Sequence, residues 1–197
     1  MNINIKRQKL YDIVKQVYLN GEEELSQAKK LKIDHIHRVE SLALFLANEI
    51  DEEVDIEVLS MGCIMHDIAK FIDSPKHNAL GSILTKFLLV DMYDEETIEK
   101  IANLVLTHNS KSTNNENLTI EQKLLIDADI IDKMNLIRFN NAINTLESEK
   151  LILEEFDKII EKANSRKDSL CTEMGKKYFQ AFYNYANYYI DTYKNLY

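Results

Sequence analysis

Proline occurs once and glycine four times in this chain of 197 residues. That is too few to turn the many corners of a β-sandwich or barrel. Basic residues are also short: 24 Lys and Arg stand against 33 Asp and Glu, a formal charge of −9. A general nucleic-acid binder needs a basic face to neutralise phosphates, so that class is excluded. The two cysteines, Cys63 and Cys171, form no CxxC-type pair, which excludes a disulfide framework and leaves each to be read as a buried small thiol. No apolar run approaches the ~18 residues of a membrane span, and the opening segment MNINIKRQKLYDIVKQ has no apolar stretch of secretory length. A soluble protein of the reducing cytoplasm, without membrane contact, is therefore expected. With 45% hydrophobic residues the chain can build an ordinary core. One all-α domain over residues 1–197 is the reading its length favours.

Helical spacing of apolar residues runs through nearly the whole chain. A first amphipathic helix spans about Ile5 to Leu19 and stops at Asn20-Gly21, and the charged stretch Glu22 to Lys32 reads as a second, short one. From about Asp34, Val39, Leu42, Ala43, Leu46, Ala47 and Ile50 form one stripe. Asp55 can cap a helix through Leu59, Cys63 and Ile64. The turn Asp73-Ser74-Pro75 precedes another carrying Leu80, Leu84 and Leu88. A further helix begins near Asp94, and Asn109 to Asn117 is polar enough to be a surface loop. Thr119 with Gln122 is a capping-box signature for the helix LLIDADIIDKM. A long acidic helix through Leu151, Phe156 and Ile160 follows, then a linker from Ala163 to Leu170 and a last helix from Thr172. Nine of the 17 aromatic residues fall in Tyr178 to Tyr197, with Phe179, Phe182, Tyr183, Ala186, Tyr189, Ile190 and Tyr193 on one stripe. The stripe reads as a helix docked on the main body, or as a homodimer interface or lid.

The five histidines are not scattered. His35 extends the stripe of Val39 and Leu42, His66 and Asp67 follow Cys63, His77 opens the stripe of Leu80 and Leu84, and His108 closes that of Ile101, Leu104 and Val105. Four of the five thus fall where an inward-facing helix runs out, and only His37 falls on a polar side. Asp127, Asp129 and Asp132 lie within one apolar helix, where an unpaired carboxylate would cost several kcal/mol. Lysine and arginine are scarce around them in sequence, so a divalent cation held by imidazole and carboxylate is the economical compensation. For Asp127 and Asp132 a narrow water-facing edge of the helix is an equal alternative.

His35 in HIHRV, His66-Asp67 in IMHDIAK and Asp129 in DADIID, in that order and each on a helix, resemble the HD superfamily of metal-dependent phosphohydrolases. The resemblance covers about residues 33–134 and implies an HD-type helical bundle, with additional N-terminal helices in 1–32 and C-terminal helices in 145–197. It implies His35, His66, Asp67 and Asp129 as metal ligands, with His77 and His108 where binuclear members place further ones. His35 is preferred to His37 because the family's arginine follows its ligand by three residues, as Arg38 does here. Asp67, Lys70 and Arg38 are then the catalytic set, with the two cations near substrate phosphate. Two departures stand out: Ile130 replaces the arginine of DADRLD, and His108-Asn109 replaces the His-Thr pair of relatives that cleave diadenosine tetraphosphate.

The resemblance implies one or two divalent ions (Mn, Fe, Co, Ni or Mg) and hydrolysis of a small phosphorylated substrate, a nucleotide being the expected class, by metal-activated water. An acidic protein can bind such an anion because the metal reverses the local sign. Two other functions are compatible: a di-iron HD-fold oxygenase using the same six ligands, and a nucleotide-binding regulator with a weak site. Substrate selection is expected from Asp73 to Ala79, Asn109 to Leu118 and the tyrosine-rich C-terminus.

Overall fold

The computed structural model describes residues 2–109 and 117–196, and among them every regular element is a helix. In chain order these are α1 (Ile3–Leu19), α2 (Gln27–Asn48), α3 (Ile56–Met65), α4 (His77–Leu89), α5 (Glu95–Thr107), α6 (Ile120–Asp132), α7 (Leu136–Thr145), α8 (Glu149–Asn164), a 3-10 turn (Lys167–Ser169) and α9 (Glu173–Leu196). No helix among the described residues is long and apolar enough to cross a membrane. Of the polar loop expected over 109–117, residues 110–116 lie outside the described residues.

Local chemistry sets the helix starts. Asn2, Ser26, Asp55, Asp94, Thr119, Asn135 and Ser148 each accept a hydrogen bond from a first-turn backbone N–H. The capping box at Thr119 and Gln122 is complete in both directions. Helix α1 stops where Asn20 and Gly21 both take left-handed backbone, at φ 48° and 83°. One expected element is corrected: residues 22–32 are not a helix of their own. Ser26 caps Gln27 onward, so residues 27–32 are the first turns of α2. Helix α7 is an element the apolar spacing did not single out; Asn135 starts it and it buries Phe139 and Ala142.

The core forms where α2 packs on α3 and α6, α3 on α5, and α4 on α5. Helix α1 lies on α3 and is tied down by a buried charge. Glu40, 1% exposed, accepts from Arg7 Nε and Nη2 at 2.7 and 2.9 Å, from Tyr11 Oη at 2.6 Å, and from Ser60 Oγ. Burial disfavours the Glu40 carboxylate, but these donors outweigh it and hold its pKa below the ordinary value.

The C-terminal stripe packs on the chain's own core. Phe179, Ala186 and Ile190 are buried, Phe182, Tyr183, Tyr189 and Tyr193 are partly buried, and the ring of Phe156 meets that of Tyr193 edge-on at 5.4 Å. Asp127 anchors the start of α9. Its fully buried carboxylate accepts from Cys171 N, Thr172 N and Thr172 Oγ1 at 2.7, 2.9 and 2.6 Å. This corrects both readings of Asp127: it neither faces water nor lies in the metal-binding groups, because three donors at the start of α9 hold its carboxylate there, although burial still raises its pKa. Gly175 allows the close approach, since a Cβ there would collide with Asp127 Oδ2.

Candidate metal centre

Five helices deliver the expected ligands to one place. His35 comes from the middle of α2, His66 caps the C-terminus of α3 with Asp67 next, and His77 opens α4. His108 caps the C-terminus of α5, and Asp129 lies in the last turn of α6. His35 therefore corrects the expectation that each of these histidines ends a helix. All six residues are buried. His37 stacks on Tyr11 at 3.8 Å and is exposed, away from the cluster, as its polar face implied.

Each of these four histidines has its Nδ1 already committed. Those of His66, His77 and His108 donate to the carbonyls of Cys63, Ser74 and Val105 at 2.6, 2.7 and 2.7 Å. That of His35 donates to Asp132 Oδ2 at 2.7 Å. A carbonyl can only accept, so Nδ1 carries the proton, and in the neutral ring Nε2 is left as a lone pair. The four Nε2 atoms point at the two oxygens of Asp67. His66 and His35 lie 3.5 and 3.7 Å from Oδ2, while His77 and His108 lie 3.2 and 3.8 Å from Oδ1. Asp129 Oδ1 lies beside these atoms, 3.3 Å from His35 Nε2. The result is two three-residue groups, His35-His66-Asp67 and Asp67-His77-His108, each with its donor atoms within 4.8 Å of one another.

The electrostatics fit a cation. Burial and the neighbouring His66 push His108 down to about 3, and burial also lowers His77, so both rings are neutral near pH 7. Their Nε2 atoms are 3.2 Å apart, which brings two lone pairs face to face without a proton between them. A metal ion held between them would relieve that repulsion. Burial opposes charge on Asp67, Asp129 and His66 alike. His66 and Lys32 nevertheless hold Asp67 well below the carboxylate range, Lys133 and His35 do so for Asp129, and Asp67 and Asp129 raise His66.

Asp132 is the residue whose role its sequence position concealed. It is buried and accepts from Arg38 Nε and Nη2 at 2.7 and 3.1 Å as well as from His35. It is neither water-facing nor within the candidate metal-binding groups; it orients His35 from behind, the place a carboxylate takes behind a metal-binding histidine. Arg38 is thereby turned onto Asp132 and does not line the cavity at the cluster. The expected scarcity of cations around the acidic helix is also corrected. Lys133 Nζ reaches Asp129 Oδ2 at 2.7 Å, Lys32 Nζ reaches Asp67 Oδ2 at 2.8 Å, and Arg138 approaches Asp132 at 3.7 Å.

The cluster forms the floor of a cavity of about 300 Å³. Its walls carry Lys70, as expected, and also Lys32, Lys133, Arg138, Lys162 and Arg166. Burial lowers Lys70 and, against the pull of Asp129, Lys133. Ile130, the departure from DADRLD, is fully buried in the core. Tyr18 of α1 donates to the Asp67 carbonyl at 2.8 Å, another contact with no motif to announce it.

Among the described residues the fold is all-helical, and buried histidines and aspartates from five helices converge beneath a cavity walled by lysine and arginine. The family model for the HD domain matches residues 33–134, and the chain belongs to the HD domain family. That membership supports metal-dependent phosphohydrolase chemistry in general. Two solved structures share the fold: a predicted HD superfamily hydrolase from an uncultured Thermotogales bacterium, and YpgQ of Bacillus subtilis. The first is 17% identical, with a TM-score of 0.65 over 95% of this chain and 91% of that one. The second is 16% identical, with a TM-score of 0.70 over 99% and 97%. No curated protein matches the sequence.

Proposed function

We propose that this protein is a metal-dependent phosphohydrolase acting on a small phosphate ester, with a nucleotide as the substrate class. The observation that carries the reading is Asp67 shared between two histidine groups on the floor of a cation-walled cavity. His35, His66, Asp67 and Asp129 would hold one divalent ion, and Asp67, His77 and His108 a second. Mn, Fe, Co and Ni suit a set of imidazoles and carboxylates better than Mg does. Metal bound there would supply an activated water and offset charge on the phosphoryl group.

The chain's own residues do the rest. Four carbonyl or carboxylate acceptors hold the Nδ1 atoms and leave the Nε2 atoms facing Asp67. Arg38 and Asp132 keep His35 from turning. Lys70, half-buried on the wall, has no carboxylate partner among the described residues and is placed to receive a phosphoryl oxygen. Phosphate release from a panel of nucleotides with Mn or Co tests the reading, and His66→Ala should abolish it while His37→Ala leaves it intact. The doubled ligand set also suits a di-iron oxygenase. Two irons per chain with oxygen consumption, and no phosphate release, would favour that second reading.

A further inference from the structure

Arg166 lies outside the HD match, between α8 and the 3-10 turn, yet it reaches the metal-site cavity. It is 7% exposed. Its Nη1 donates to Asn109 Oδ1 at 2.5 Å, whereas the buried Nε and Nη2 have no hydrogen-bond partner among the described residues. A guanidinium keeps its proton at any physiological pH, so this burial leaves a full charge and two donors unmet. Nε and Nη2 form one edge of the planar group, the edge that receives two oxygens of a phosphate or carboxylate side by side. Asn109 holds the opposite part of the fork, so that edge is oriented in advance.

The charges around it point the same way. Lys32 and Lys133 are matched by Asp67 and Asp129, and Arg138 sits near Asp132. Lys70, Lys162 and Arg166 line the same cavity and have no carboxylate partner among the described residues. One phosphoryl group at the metal centre would already meet metal charge and Lys70. Two further cations, one deeply buried, call for a second oxyanion.

We infer that Arg166, assisted by Lys162 and oriented by Asn109, forms an oxyanion subsite beside the metal centre that takes a second phosphoryl group. The site then selects substrates carrying linked phosphoryl groups over phosphomonoesters. This rests on the phosphohydrolase reading and adds to it a specificity determinant from the C-terminal segment.

Calorimetric titration of methylenediphosphonate and methylphosphonate into the full chain, in one Mn²⁺ buffer throughout, tests the subsite. Wild type should prefer the diphosphonate by at least about tenfold, a factor worth about 1.4 kcal/mol. Arg166→Gln should remove most of that preference while the methylphosphonate affinity stays within about twofold, and Arg166→Lys should restore part of it. A merely structural Arg166 would lower the melting temperature of Arg166→Gln and leave the preference ratio unchanged, which overturns the subsite. If Arg166→Gln does not fold, Lys162→Gln on the exposed face of α8 decides: a several-fold loss of preference supports the subsite and an unchanged ratio overturns it. Failure of the wider reading looks different, because phosphate release would then be absent from every nucleotide of the panel while the phosphonate preference still answered to Arg166.

Discussion

His77 and His108 present their Nε2 atoms to each other at 3.2 Å, and each ring is held by its Nδ1 on a backbone carbonyl three residues earlier. Neither ring can turn away without breaking its Nδ1 hydrogen bond. The pair is thus prepared for an ion and poorly accommodated without one.

It follows that the two halves of the centre can be separated. His77→Ala or His108→Ala should remove one metal ion per chain and leave the group of His35, His66 and Asp129 able to bind the other. Metal analysis after dialysis reads this directly. Loss of both ions from the His108 variant would contradict two half-sites.

The support behind His35 should matter nearly as much as the ligand. Asp132→Asn keeps the size of the side chain but removes the charge that Arg38 and His35 share. Activity or metal affinity should fall by about 10- to 100-fold, the usual cost of losing such a partner. Circular dichroism should show the fold retained. Full activity with unchanged affinity would show that Asp132 only packs.

Stability should fall in acid through Glu40. Its folded pKa lies below the ordinary 4.5, so its stabilisation is complete above that range and is lost as pH falls through the lower, folded value. Glu40→Gln should cost about 1.5–3 kcal/mol at pH 7 in urea titrations, and less as the pH drops below 4. An equal cost at pH 7 and pH 3 would mean that the carboxylate charge is not what ties α1 to the core.

Anchoring of α9 makes a separate prediction. Gly175→Ala would press a methyl group onto Asp127 and displace the capping carboxylate. A loss of about 1–3 kcal/mol is expected, the cost of leaving a buried polar group unsatisfied. Because α9 covers α6, hydrogen exchange should speed up first in α9.

What could be read in the sequence was mostly local. The capping box at Thr119, the stop at Asn20-Gly21 and the exposed place of His37 need only neighbours within a turn or two. The convergence of the six candidate ligands was legible because HD and the other histidines stand at fixed places on apolar stripes, and the family order did the rest. Asp132 was not, because its partner His35 is 97 positions away. The link from Asn109 to Arg166 spans 57 positions and crosses what the sequence showed only as a linker. Asp127 looked like its neighbour Asp129, and only the packing of α9 tells them apart. The expectation of few nearby cations failed only in part for the same reason: Lys32 and Arg38 come from α2, but Lys133 stands four residues after Asp129 in the same motif.

Asp67 tests the central claim most directly, because one carboxylate serves both halves of the centre. Bound metal and phosphate release should be measured together for wild type and Asp67→Ala, with melting temperature to verify folding. The account predicts a folded variant that keeps no stoichiometric metal and releases no phosphate. A folded Asp67→Ala protein with full metal content and full activity would contradict it.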